Sequence, residues 1–263
     1  MRLLQVDAFT SQPFRGNPAG VCFLDRERDD AWMTNVAAEM NLAETAFLLP
    51  RGDGSWSLRW FTPLVEVKLC GHATLGSAHA MWEEGLLAPN DMARFHTLSG
   101  VLTASRDGNF IELDFPAKIN EEIPPPAGLL DALGVSAANF VGRNEFDYLV
   151  ELESEDAVRG LRPDFNVLRQ LPVRGVIATS RATNNGYDFV SRFFAPAVGV
   201  DEDPVTGSAH CALTPYWAAR LGKTEMSAWQ ASARGGALRV RLAGDRVKLG
   251  GRAVTVLRGE LVG

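Results

Sequence analysis

Three side chains stand where this sequence could do chemistry: Glu44, His72 and Asp203. Glu44 lies where a predicted helix gives way to a predicted strand. His72 opens a run of small residues after Gly71, and Asp203 sits in Asp201-Glu202-Asp203-Pro204, just ahead of a second such run after Gly207. A carboxylate drawn out of water has its pKa raised toward neutrality, which fits it to take a proton and give it back. That is general acid/base chemistry. The bland readings stay open at this point: an edge charge for Glu44, a helix cap for Asp203, a satisfied core histidine for His72.

Other chemistries fit less well. His72 and His79 share one helix face two turns apart, but no HExxH motif and no His/Cys quartet surrounds them, so no metal site is expected. Thr206-Gly207-Ser208-Ala209-His210 lacks the second glycine of a hydrolase nucleophile elbow. Cys22, Cys70 and Cys211 are scattered without a CxxC pair and read as small buried apolar residues rather than a disulfide framework. The 32 acidic against 26 basic residues leave a net charge of -6 with no basic cluster, which argues against nucleic acid as a partner. The start of the chain does not resemble a signal peptide, and no apolar run approaches the roughly 18 residues of a membrane span. A cytoplasmic protein with no membrane partner is the expectation.

At roughly 150 residues per domain, 263 residues make about two domains, and 46% hydrophobic residues suffice for two cores. Alternation predicts strands over 5–9, 21–24, 45–49, 57–61 and 66–69. A helix capped by Asp29 or Asp30 should carry Trp32, Val36 and Met40 as one stripe and end at Asn41. A buried small-residue helix is predicted over 72–84, stopped by Gly85, with strands at 101–105 and 110–115 beyond it. The proline-rich stretch 116–126 marks a boundary. Past it come strands at 146–152, 175–180 and 187–194, a helix over 207–221 that Pro215 should kink, and strands at 238–242, 246–249 and 254–257. The lobes are therefore 1–117, with the C-terminal strand as the candidate to complete it, and 118–263. Each offers strands, a glycine, a small-residue helix and more strands. If both helix N-termini face one cleft, their free N–H groups at Gly71 and Gly207 would hold a carboxylate.

The motifs Asp7-Ala8-Phe9-Thr10, Gly16-Asn17-Pro18-Ala19, Glu39 to Phe47, Phe61-Thr62-Pro63, Leu69-Cys70-Gly71-His72-Ala73-Thr74 and Glu202 to Ala209 follow in order over most of the chain. Together they resemble the phenazine biosynthesis PhzF-like family. The resemblance implies a diaminopimelate epimerase-like α+β fold, with two similar lobes that each wrap a curved, mostly antiparallel sheet around a central helix. It implies Glu44 as the acid/base, His72 and Asp203 as polar groups that orient substrate and assist proton transfer, and Gly71, Gly207 and Ser208 as substrate-binding positions. The reaction it implies is a cofactor-free and metal-free isomerisation of a small carboxylic acid by a homodimer. Related epimerases use two facing cysteines, and here Cys70 alone sits at a comparable motif. An epimerase or dehydratase of an amino or hydroxy acid, and a ligand-binding module without turnover, remain the alternatives.

Overall fold

The computed structural model describes residues 1–183 and 186–262, and the chain divides into two compact units: Met1–Asp114 with Gly250–Gly263, and Phe115–Leu249. The second expected lobe therefore ends at Leu249 rather than 263. The cause is pairing: the C-terminal strand Ala253–Glu260 runs antiparallel to β1 (Arg2–Ala8), from Arg2↔Glu260 to Ala8↔Ala253.

In the first unit β1 also pairs with β2 (Asn17–Phe23), which lies parallel to β3 (Glu44–Pro50). The sheet continues antiparallel into β4 (Trp56–Phe61) and the short β5 (Glu66–Val67). It then passes through β6 (Ala93–Thr97), parallel to β4, to β7 (Gly100–Asp107) and β8 (Phe110–Pro116). Helix α1 (Asp30–Met40) is capped by the Asp29 carboxylate, which accepts from the Trp32 N–H at 2.7 Å, and its end is the left-handed Asn41. Its buried stripe is Met33, Val36 and Ala37, one step round from the predicted Trp32 and Met40, both of which are half-buried at the rim.

Helix α2 (Gly71–Glu83) is buried on nearly every face. Small residues permit this. A Cβ on Gly76 would meet Val6 at 3.5 Å and Ala19 at 3.8 Å, so the helix rides directly on β1 and β2. Its buried hydroxyls are satisfied within the helix, Thr74 donating to the Cys70 carbonyl at 2.5 Å and Ser77 to that of Ala73 at 2.7 Å.

The second unit begins with β9 (Glu121–Glu122), β10 (Phe140–Arg143) and β11 (Asp147–Glu151), the last parallel to β12 (Gly175–Arg181). β13 (Phe189–Phe194) pairs antiparallel with β12 and parallel with β14 (Glu225–Gln230), which pairs with β15 (Gly236–Ala243); β16 (Arg246–Gly251) follows. Short helices α3 (Leu129–Leu133), α4 (Glu155–Gly160) and α5 (Phe165–Leu168) pack one apolar cluster with these strands.

Helix α6 (Gly207–Leu221) is again buried and small-residue-rich, and it runs through Pro215 as one element. Pro215 has no N–H for the carbonyl four residues back, which is that of Cys211. That carbonyl instead accepts the Lys118 N–H at 2.9 Å, and the next, of Ala212, accepts from the Asn120 side chain at 3.1 Å. The carbonyls at the proline thus find partners in the segment that follows β8.

Candidate active site

Glu44 owes its place to a change of direction. Asn41 ends α1 with φ 50°, its N–H still bonded to the Ala37 carbonyl at 3.1 Å, and the chain then enters β3 with Glu44 as its first residue, opposite Ala19. The side chain is 19% exposed, and its Oε2 lies 3.4 Å from Nε2 of His72, the second residue of α2. The Cys70 sulfur lies beside the same ring, 3.5 Å from Nδ1 and 4.0 Å from Nε2. The structure thus brings Glu44, His72 and Cys70 together, whereas His79 turns to Glu83 at 3.5 Å rather than to His72.

Burial drives the His72 pKa down to about 3. The imidazole is therefore neutral at working pH, with one N–H and one lone pair, and its contact with Glu44 is a carboxylate–imidazole contact rather than an ion pair. In one tautomer Nε2–H points at the Glu44 carboxylate, and Nδ1 is left as an acceptor with the Cys70 sulfur 3.5 Å away. A carboxylate so placed can accept a proton and return it while the ring holds it in register. Glu44, Cys70 and His72 each also offer one metal-ligand atom, all within 4.8 Å of one another.

The N-terminus of α2 is left open by its own cap. Cys70 is the N-cap, in extended backbone, and its side chain caps nothing in the helix. The early N–H groups, Gly71 among them, point out of the helix end with the positive end of its dipole.

In the second unit α6 has the same construction, with Thr206 as an N-cap that makes no side-chain cap bond. The Thr206 hydroxyl instead donates to Oδ2 of Asp203, while the Thr206 N–H donates to Gln230 Oε1 at 2.8 Å. The amide of Gln230, a fully buried residue, donates in turn to the Asp203 carbonyl at 2.7 Å and to Thr206 Oγ1 at 3.1 Å. One side chain therefore ties the loop that carries Asp203 to the strand beneath it. Ser208, the second residue of α6, accepts from Arg174 Nη2 at 3.0 Å, and Arg174 is itself clamped by Asp147 at 2.9 and 2.5 Å. With one lone pair occupied by Arg174, the Ser208 hydroxyl keeps its proton available for a ligand.

Sequence reasoning missed Gln230, Thr206, Arg174 and Asp147 as supports of these residues. Gln230 carried a usable signal, a polar side chain in an alternating strand, but the strand itself was not foreseen. Arg174 carried none, since only the pairing of β11 with β12 brings it to Asp147. Cys211 is buried, with its thiol pushed up to about 12 by desolvation.

His210, in the second turn of α6, is fully buried; its Nδ1 donates to the Thr206 carbonyl at 2.8 Å, and burial holds its pKa near 4. Two imidazoles thus have folded pKa values far below the unfolded value of about 6.5. Between about pH 6.5 and 3 the unfolded chain binds protons that the folded chain does not, so stability is full above that window and falls as pH drops through it. Each group should contribute about 1 kcal/mol per pH unit. Urea unfolding stepped down from neutral pH should show that slope. Replacing His210 by Phe, a ring that can still stack on Phe189, should remove about half of it. An unchanged slope in that variant would place the acid sensitivity elsewhere.

Comparison with known proteins agrees with this geometry. The family model described as phenazine biosynthesis-like protein matches residues 6–259. An uncharacterized isomerase of Halalkalibacterium halodurans is 57% identical over 258 residues, 98% of this chain and 97% of that protein. The crystal structure of a PhzF-family phenazine biosynthesis protein from Enterococcus faecalis superposes with a TM-score of 0.94 at 40% identity, covering 99% of this chain and 98% of the other. A probable proline racemase from Agrobacterium radiobacter shares the fold at a TM-score of 0.66 and 12% identity, over 99% of this chain and 92% of its own. Among the described residues no helix is long and apolar enough to cross a membrane. With the motifs, the architecture and the relatives in agreement, this chain belongs to the phenazine biosynthesis-like PhzF family.

Proposed function

We propose that this chain is an isomerase that shifts a proton on a small carboxylic acid, working without cofactor or metal. Glu44 takes the proton from carbon and returns it. His72 and Asp203 orient the substrate and assist the transfer, and Gly71, Gly207 and Ser208 hold it. The observation that carries this reading is the Glu44 carboxylate 3.4 Å from a buried, neutral imidazole. The open α2 N-terminus beside that pair supports it, because N–H groups aimed at a carboxylate stabilise the negative charge that develops when its α- or vinylogous carbon is deprotonated. So does the relative named an isomerase.

Cytoplasmic residence and a homodimeric state belong to the same proposal, the first supported by three free thiols and the second by family resemblance. The test is a screen of small carboxylates in deuterated buffer, read by NMR. The true substrate should acquire carbon-bound deuterium as it is converted to a product of the same composition. Conversion with loss of water or ammonia would overturn the isomerase reading.

A further inference from the structure

The loop ahead of α6 is held by a side chain that uses every hydrogen-bonding group it has. Gln230, the last residue of β14, is fully buried. Its Oε1 accepts from the Thr206 backbone N–H at 2.8 Å, and its Nε2 donates to the Asp203 backbone carbonyl at 2.7 Å and to Thr206 Oγ1 at 3.1 Å. A backbone N–H can only donate and a backbone carbonyl can only accept, so these partners allow the amide a single orientation. That orientation fixes a second proton. Thr206 Oγ1 carries one hydrogen; with Gln230 donating to the oxygen, that hydrogen is directed away from Gln230, and the bond it makes is to Oδ2 of Asp203. The loop backbone around this carboxylate is pinned as well. The Asp203 N–H donates to the Phe193 carbonyl at 3.1 Å, Ser232 Oγ donates to the Pro204 carbonyl at 2.8 Å, and Arg192 grips both carboxylate oxygens of Glu202 at 2.7 and 2.9 Å.

We propose that Gln230 is a positioning residue for the reaction: through the Thr206 hydroxyl it commits Oδ2 of Asp203 to the protein, so that Asp203 meets a substrate through Oδ1 and only by accepting a hydrogen bond. The bonds rest on this geometry alone; their consequence for catalysis rests on the reading that Asp203 orients the substrate. A carboxylate brings no proton of its own to such a contact, so the group it orients is a donor. Glutamine rather than glutamate is required at 230, because a second carboxylate there would draw the Thr206 hydroxyl proton to itself.

An asparagine in place of Asp203 turns this lock into a measurable fault. The Thr206 hydroxyl would hold the amide oxygen and leave the NH2 group facing the substrate, a donor against a donor. For a carboxylate that the wild-type chain converts, followed by deuterium exchange, Asp203→Asn should therefore lose at least about 10-fold in kcat/KM. Thr206→Val added to it removes the donor that holds the oxygen, the amide can turn, and about 3-fold or more of the loss should return. Asp203→Asn with Gln230→Glu should recover likewise, since the new carboxylate draws the hydroxyl away. Thr206→Ser alone keeps the hydroxyl and should stay within about 3-fold of wild type. Circular dichroism confirms that each variant is folded. Residues that merely held the loop together would give the opposite sign, because a second loss of bonding would deepen the first.

The bonds have a readout independent of turnover. In nitrogen-15-labelled full-length protein moved into deuterated buffer, the Gln230 side-chain N–H signals should exchange at least about 100-fold more slowly than those of exposed side-chain amides. Thr206→Val should move the signal of the N–H that loses its acceptor. Fast exchange at Gln230 in the wild-type protein overturns the lock. Recovery in neither double variant overturns the commitment of Oδ2. A fully active Asp203→Asn protein overturns the orienting role given to Asp203, and with it the catalytic half of the proposal, while slow exchange at Gln230 would leave the bonds standing.

Discussion

Glu44→Gln should lower the rate of deuterium exchange, for any carboxylate that the wild-type chain converts, by at least about 100-fold. The amide keeps the shape of the carboxylate and can still face the neutral imidazole of His72, donating to a bare Nε2 or accepting from Nε2–H, so the 3.4 Å contact has no reason to open. What the amide cannot do is hold a proton between removal and return. Stability should therefore change little, by about 1 kcal/mol or less in urea unfolding. The rate and the fold separate in this one variant. The limb of the pH–rate profile that belongs to the base should also vanish, leaving a weak, flat residual rate. Exchange at the wild-type rate in a folded Glu44→Gln protein would move the base to another residue, with the Cys70 thiol, 3.5 Å from the same imidazole, the next to test.

How much of this was legible in the residues differs from place to place. Helices α2 and α6 could be read from glycine-bounded runs of small residues, and both are buried as such runs require. Glu44 could be placed because Asn41 tolerates the left-handed conformation that ends α1. Strands β6, β10 and β14 could not. They run four to six residues, and although β6 sets Ala93 and Phe95 against Arg94 and His96, so few alternating positions mark no strand until β4 and β7 flank it. The C-terminal strand stood as the candidate to complete the first lobe, but its pairing with β1 was hidden, since a sequence marks a strand without naming its partner. The same limit governed the site. Types and local positions of Glu44, His72 and Asp203 were readable. The Glu44–His72 contact, the Gln230 tie to Asp203 and the Arg174 clamp on Ser208 arise from packing between segments remote in the chain.

Removing Arg174 alone should cost about 3 kcal/mol of stability, and removing its partner with it should restore most of that loss. Asp147 is 2% exposed, and desolvation raises its pKa even though Arg174 grips both carboxylate oxygens. The sign of that shift says that the cost of burying the charge exceeds what the guanidinium returns. Such a pair is no source of net stability, yet breaking it strands a charge. Arg174→Met leaves Asp147 buried and unpaired by its main partner, whereas Asp147→Leu frees a guanidinium that is already 32% exposed and can turn to water. The arginine variant should therefore be the weaker protein in urea unfolding, and the double variant should lie within about 1 kcal/mol of wild type. Function follows a different logic. Arg174 also donates to the Ser208 hydroxyl at 3.0 Å, a bond absent from the double variant as well. If Ser208 binds substrate, Arg174→Met and the stable double variant should both raise KM with kcat little changed, because lost positioning of a binding group weakens ground and transition states alike. A double variant with wild-type KM would confine Arg174 to the ion pair and remove Ser208 from the substrate-binding set.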